Sequence, residues 1–337
     1  MTVDLRSDTV TKPTQEMREA MAVAEVGDDV FGEDPTVQKL EEEVSRILAK
    51  EAGLFVPSGV MGNQIAIAVH SSPGDEVVLA ERSHIFHYES GAAGHISGVQ
   101  LRPVGDLSGI LTAEDIRGVI QGAHAWEART SLVCLENTIN KSGGRIYPIN
   151  TITEVAGVVR EHGLAFHLDG ARLWNASVEL GVSETEITAP FDSVTVCLSK
   201  ALGAPVGSVL VGSGKFVAEA RRMRKRLGGG MRQVGILAAA GLVALTHKPA
   251  LKDDHERART FAEALRRYEG LDVVAPETNI VLFHAHNGDA PTLISRLAKK
   301  GILLSQFGHR TVRATFHRDI TSEDLTNALD VFEELFS

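Results

Sequence analysis

The amino-acid sequence predicts an α/β fold: a large domain on a mainly parallel, mixed sheet flanked by helices, then a smaller C-terminal α+β domain. Three observations carry that expectation. Short apolar runs alternate with helix-period stretches from Gly53 to Gly212, the rhythm of strands joined by crossover helices. A helical pattern from Val234 to about Arg267, broken at Lys248 and Pro249, sets that region apart from the C-terminal part of the chain. The chain has 337 residues, more than one small core usually organises.

Taken in order, Pro35 to Glu51 places Val37, Leu40, Val44, Ile47 and Leu48 at three-and-four spacing, which predicts an amphipathic helix with proline in its first turn. GLFVPSG, EVVLA, VQLRPV, SLVCLEN, LAFHLDG, SVTVCLSK and GSVLVG read as strands, with helices from Met61 and near Thr151 to Glu161 between them. Beyond Pro249, LDVV, NIVLFHA, ILLS and VRATF read as strands, and helices are expected around Pro291 to Lys300 and from Ser322. The first dozen residues are polar and lack a helical period, so on pattern alone they read as a frayed end.

Composition narrows the function classes. Hydrophobic residues make up 43% and charged residues 23%, so the chain can bury a sizeable core and is not intrinsically disordered. Lys and Arg number 34 against 44 Asp and Glu, a net charge of −10, and basic residues cluster only at Arg221 to Arg226. That balance argues against a nucleic-acid surface and favours a small-molecule partner. Cys134 and Cys197 each sit inside an apolar run, so no disulfide framework is expected. MTVDLRSDTVTKP has no apolar signal core, and no stretch reaches the ~18 apolar residues that span a bilayer. A cytoplasmic location, with no membrane partner, is expected.

The sharpest constellation is central. One apolar strand ends in Asp169, Gly170, Ala171 and Arg172, and a second ends in Ser199 and Lys200. Ligands of open α/β sheets sit beyond the carboxyl ends of strands, so both polar ends should face one crevice. Two readings are open. Asp169 caps a helix while Lys200 reaches solvent, or the pair serves pyridoxal phosphate, the lysine forming an imine and the carboxylate holding the ring nitrogen protonated. Pro57-Ser58-Gly59-Val60, between a strand and a helix, offers N–H groups and a hydroxyl to a phosphate, or is an ordinary turn.

His84 comes after EVVLA and could stack on a cofactor ring or accept a proton, unless it and His87 are plain loop histidines. His84, His87 and Glu89 resemble a fragment of a metal site without a third ligand at diagnostic spacing, so no metal is expected. KRLGGGMRQ lets Lys225 and Arg232 address an anion or forms a flexible basic hinge; it is not a dinucleotide fingerprint, because no strand precedes it. Arg313, on VRATF, either clamps a carboxylate or makes a surface ion pair.

LRSDTVTKPT, GDDVFGEDPTV, LFVPSGVMGN, LENT, HLDGAR, CLSKALGAPVGSVLVG, GGGMRQVGILAAAG, DDH and VRATFH occur in the order they take in one family. Over nearly its whole length the chain resembles the low-specificity L-threonine aldolases, pyridoxal-phosphate enzymes of fold type I, the aminotransferase-like fold. The resemblance implies a pyridoxal-phosphate-binding domain over 16–248, a small domain over 249–337, and an arm, 1–15, that reaches the active site. Lys200 is then the imine lysine, Asp169 pairs with the pyridine nitrogen and His84 stacks on the ring. Ser58, Gly59 and Val60 hold the phosphate, and Ser7, Arg172 and Arg313 hold the substrate carboxylate, with Arg172 also at the cofactor. Lys225 and Arg232 come from a neighbouring subunit of a homotetramer, a dimer of dimers, and Tyr88 and Glu89 line the site.

The implied reaction is retro-aldol cleavage of an L-β-hydroxy-α-amino acid to glycine and an aldehyde. β-Elimination or transamination on the same fold is the alternative. A non-catalytic cofactor-carrying regulator is disfavoured by the intact Lys200, Asp169 and Arg313. Two positions depart from the family. Trp126 stands where relatives carry a histidine three residues before an arginine, with His124 the nearest histidine, and Ile139 replaces the histidine of N-T-H-N. The base for the β-hydroxyl then passes to His84, His87, His124 or a water. Trp126, as a substrate contact, should favour phenylserine-like substrates.

Overall fold

The structure, a computed structural model, describes residues 2–286 and 288–336. Its strands, in chain order, are β1 (Val3–Asp4), β2 (Ala52–Val56), β3 (Glu76–Ala80), β4 (Gln100–Val104), β5 (Thr130–Glu136), β6 (Ala165–Gly170), β7 (Ser193–Cys197), β8 (Ser208–Gly212), β9 (Leu271–Val273), β10 (Ile280–Ala285), β11 (Ile302–Leu303), β12 (Ser305–Gln306) and β13 (Thr311–Thr315). A seven-stranded sheet has the order β2-β8-β7-β6-β5-β3-β4. β3 runs parallel to β4 and β5, β5 to β6 and β6 to β7, whereas β8 is antiparallel to both β7 and β2. The carboxyl ends of β2, β3, β5, β6 and β7 therefore share one edge, where an open α/β sheet places its ligand.

The central strands are apolar on both faces because helices cover both. Val133, Leu135, Leu168, Val194 and Val196 are buried in the main core with Leu40 and Val44. Those last two lie on helix Pro35–Ile47, which Asp34 caps by accepting from Thr36 N and Val37 N. That helix stops short of the predicted Glu51, since Ala49 turns into the left-handed region at φ 49°. Helix Gly59–His70 begins two residues ahead of Met61, because Ser58 Oγ accepts from Met61 N. Gly59 is required there: a Cβ would lie 2.8 Å from Cys197 Sγ on β7.

Several helices went unforeseen, among them Gln15–Ala22 and Gly214–Arg226. The second buries Phe216, Val217, Ala220 and Met223, so the basic cluster Arg221 to Arg226 forms the last turns of a packed helix, where cations suit the helix dipole, and of KRLGGGMRQ only Lys225 and Arg226 lie in that helix. The first residues are not a frayed end. β1 pairs in parallel with β11, Leu5 O accepts from Thr315 N at 2.8 Å, and Val3 and Leu5 are buried in the smaller core. ILLS accordingly splits into β11, which pairs with β1, and β12, the edge of the antiparallel sheet β12-β13-β10-β9. Phe261, Phe283, Phe316 and Phe332 fill the core beneath that sheet. No helix among the described residues is long and apolar enough to cross a membrane.

Candidate active site

β6 and β7 are neighbours in register Asp169 to Thr195, so Asp169 and Lys200 leave the same edge side by side. Both line a cavity of about 190 Å³ with Ser58, Gly59, Val60, Asn63, His84, Glu136, Arg172 and Ser199. Thr11 Oγ1 donates to Lys200 O at 2.8 Å and ties the arm to that loop.

Asp169 is 2% exposed. Its Oδ2 accepts from Asn63 Nδ2 at 2.9 Å and its Oδ1 from Ala171 N at 3.1 Å. Among the described residues no ion pair reaches it. A buried carboxylate held only by amide donors is costly unless a cation joins it. A protonated ring nitrogen is such a cation, and Lys200 supplies an amine to the same cavity, so the residues present fit pyridoxal phosphate.

His84 opens the short helix His84–His87, capped by Ser83. Its backbone N donates to Glu136 Oε2 at 2.7 Å and its Nδ1 lies 3.0 Å from Glu89 Oε1. Burial alone would depress the imidazole, but the Glu89 hydrogen bond and the charges of Asp169 and Glu136 outweigh it and raise its pKa. Glu89 also accepts from Asn63 Nδ2 at 2.9 Å and Gln64 Nε2 at 2.6 Å. Ligand-type atoms of His84, Glu89 and Asp169 lie within 4.8 Å of one another, a cluster that sequence spacing did not reveal, and Asn63 bridges its two carboxylates. His87 turns away, its Nε2 2.7 Å from Glu81 O.

Glu136, at the end of β5, accepts from Asn140 N at 2.9 Å as well as from His84 N. Burial, with Asp169 nearby, pushes its carboxyl up to about 7. Arg313 on β13 donates to Asn140 Oδ1 at 2.7 Å and to Arg6 O at 2.8 Å, and lies 4.3 Å above the Phe307 ring. Burial and the like charge of Arg172 lower it to about 10. Ser7 caps the turn Asp8–Val10, which carries Asp8 onto Arg172. Tyr88 is half-exposed and stacks against Phe307 at 6.3 Å.

The family described as beta-eliminating lyase matches residues 4–287. The chain belongs to the beta-eliminating lyase family. This lyase is 45% identical over 342 residues to low-specificity L-threonine aldolase 1 of Arabidopsis thaliana, covering 98% of this chain and 96% of that one. It is 40% identical over 325 residues to the low specificity L-threonine aldolase of Escherichia coli strain K12, covering 96% of each. In fold it is similar to a threonine aldolase of Leishmania major, with a TM-score of 0.84 over 99% of both chains at 19% identity.

Of the predicted residues of the lyase, Ser7, Tyr88, Glu89 and Arg313 do not line the cavity itself, and Lys225, Arg232 and Trp126 do not line it either within one chain. Lys225 is exposed near the end of its helix, and Arg232 is exposed and paired with Asp28 at 2.8 Å. Trp126 is 82% exposed and stacks on His124 at 4.6 Å. Ile139 is buried in the main core. Conversely, Asp8, Asn63, Gln64, Glu136 and Asn140 escaped sequence reasoning. Each is a polar residue with at least one partner from a distant segment, although Asp8, Asn63 and Glu136 stand inside the quoted motifs and Asn140 ends the N-T-I-N run.

Proposed function

We propose that this lyase cleaves the Cα–Cβ bond of L-threonine, L-allo-threonine or a related L-β-hydroxy-α-amino acid, releasing glycine and an aldehyde, with pyridoxal 5'-phosphate as cofactor. The single observation that carries this reading is Lys200 beside an unpaired, buried Asp169 in one cavity with Arg172. Bound there, the cofactor supplies an electron sink for the pair left at Cα when the bond breaks. Lys200 would attach it, Asp169 would face its ring nitrogen, and His84 would lie against the ring. Ser58, Gly59 and Val60 would take the phosphate at the N-terminus of helix Gly59–His70.

Arg313, Arg172 and Ser7 would grip the substrate carboxylate, fixing which bond at Cα stands perpendicular to the ring. His84, in hydrogen-bond contact with Glu89, would take the β-hydroxyl proton. Lys225 and Arg232 would serve a neighbouring subunit of a homotetramer, which accounts for their lying off the cavity of their own chain. The free, buried Cys134 and Cys197 suit the reducing cytoplasm.

The test is product analysis of purified protein supplied with pyridoxal phosphate and L-threonine or L-allo-threonine. Equimolar glycine and acetaldehyde are expected. Ammonia with a 2-oxo acid would instead assign β-elimination.

A further inference from the structure

Behind Asp169 runs a file of buried polar side chains that the proposed reaction does not use. His70 Nε2 lies 2.8 Å from Ser193 Oγ, which lies 2.8 Å from His167 Nδ1. His167 Nε2 lies 3.1 Å from Asn63 Oδ1, and Asn63 Nδ2 lies 2.9 Å from both Asp169 Oδ2 and Glu89 Oε1. His167, Ser193, Asn63, Asp169 and Glu89 are all buried.

The hydrogen-bonding capacity of these groups fixes the direction of every proton in the file. A carboxylate only accepts, so Asn63 must turn its NH2 toward Asp169 and Glu89 and its oxygen toward His167. That oxygen needs a donor, which assigns the His167 proton to Nε2. Nδ1 then accepts from the Ser193 hydroxyl, whose oxygen accepts in turn from His70 Nε2–H. Burial agrees with this count of one proton per ring, holding His167 down to about 3 and His70 to about 4. His167 lies two residues before Asp169 on β6, so alternation along the strand sends both side chains to the same face of the sheet.

We propose that His167 is a positioning residue for the cofactor site: by donating from Nε2 it locks the Asn63 amide, and the locked amide holds Asp169 and Glu89 as adjacent carboxylates. Without that donor the two carboxylates still set which end of the amide faces them, but its buried oxygen is left unpaired and nothing holds the amide in place from behind. An amide free to shift no longer sets the Asp169 and Glu89 oxygens at its two N–H donors. The inference rests on the reading that Asp169 meets the ring nitrogen of pyridoxal phosphate.

The experiment measures pyridoxal phosphate binding and its visible absorbance on the protein. His167→Phe, which fills the site without donating, should weaken cofactor binding roughly tenfold, the scale of one buried polar group left unpaired, and displace the absorbance maximum. His167→Gln puts a donor near Nε2 and should recover most of the affinity. Asn63→Ala should match His167→Phe, and adding His167→Phe to it should cost less than about twofold more, because both act through one contact. If His167→Phe does not fold, Ser193→Ala frees the ring to change tautomer and should weaken binding about twofold to threefold.

A folded His167→Phe protein with wild-type affinity and spectrum, additive losses with Asn63→Ala, or wild-type binding in Ser193→Ala would overturn the assignment. Wild-type protein that takes up no pyridoxal phosphate would overturn the proposed function, and this inference with it.

Discussion

Arg172 closes on Asp8 with two points of its guanidinium fork, Nε to Oδ2 at 2.7 Å and one terminal nitrogen to Oδ1 at 2.8 Å. The arginine is 5% exposed and the carboxylate 0%. The pair joins a residue just past β6 to one in the N-terminal arm, so the arm is pinned to a side chain that lines the cavity.

Asp8→Asn leaves a buried guanidinium without its counter-charge and should destabilise the fold by about 3 kcal/mol, read by urea denaturation. Burial would raise the Asp8 carboxyl, but Arg172 outweighs it and holds the pKa at about 2, below the ordinary 3.8. A depressed carboxylate stabilises the fold above the unfolded value, so the contribution should be full above pH 3.8 and fade as pH falls through about 2. The stability gap between wild type and Asp8→Asn should therefore narrow over that window. A gap that does not change with pH would remove the ion pair as its cause.

Lys200 is at the cavity but outside any secondary-structure core, so its removal separates chemistry from folding. Lys200→Ala should fold with a stability within about 0.5 kcal/mol of wild type, lose all turnover, and fail to retain pyridoxal phosphate after borohydride reduction. Retention of both the reduced adduct and the activity would displace Lys200 from its role. Asp169→Ala should lose most of its turnover while keeping the borohydride-trapped adduct, since Lys200 remains.

Apolar runs made the sheet legible: EVVLA coincides with β3 residue for residue, because a strand buried on both faces is written as unbroken hydrophobics. Lys200 and Asp169 were legible for a related reason, as polar residues ending such runs. Asn63 and Glu136 were not. Asn63 lies inside a helix pattern and is fixed by His167 and Asp169 on β6 and by Glu89, two other segments, contacts that no local period encodes. Asp8 sat in a stretch whose polarity mimics a frayed end, and only β1 pairing with β11 reveals that the arm is anchored. The helix Gly214–Arg226 was hidden by its basic last turns, which mask the Phe216, Val217, Ala220 and Met223 stripe.

Lys225 and Arg232 do not line the cavity of their own chain, so sharing between subunits has a direct test. Lys200→Ala and Arg232→Ala proteins should each be inactive or strongly impaired, Arg232 losing a charge-assisted contact of roughly 1.5 to 3 kcal/mol. Mixed under conditions of subunit exchange, the two should recover up to about one quarter of wild-type activity, because half of the interfaces pair unlike chains and each unlike pair completes one site of two. No recovery, with exchange verified by mass, would place Arg232 outside a shared site.

Trp126 was expected to replace a family histidine at the substrate and so favour phenylserine-like substrates. In the structure its ring is exposed and lies nearly parallel to His124, at 9°, in the loop before β5. An indole so placed neither takes a proton nor shapes the cavity of its own chain. His84 does line the cavity, and Glu89 raises its basicity. The acid–base role should therefore rest with His84: His84→Asn should lower kcat by 10²- to 10⁴-fold, the usual cost of one positioned acid–base group. Trp126→His should leave the ratio of kcat/KM for phenylserine and threonine within about twofold and stability within about 0.5 kcal/mol, as for a surface substitution without buried partners. A ratio moved more than about tenfold by Trp126→His would place this side chain at a neighbouring subunit's substrate, where the stacked His124 becomes the next residue to substitute.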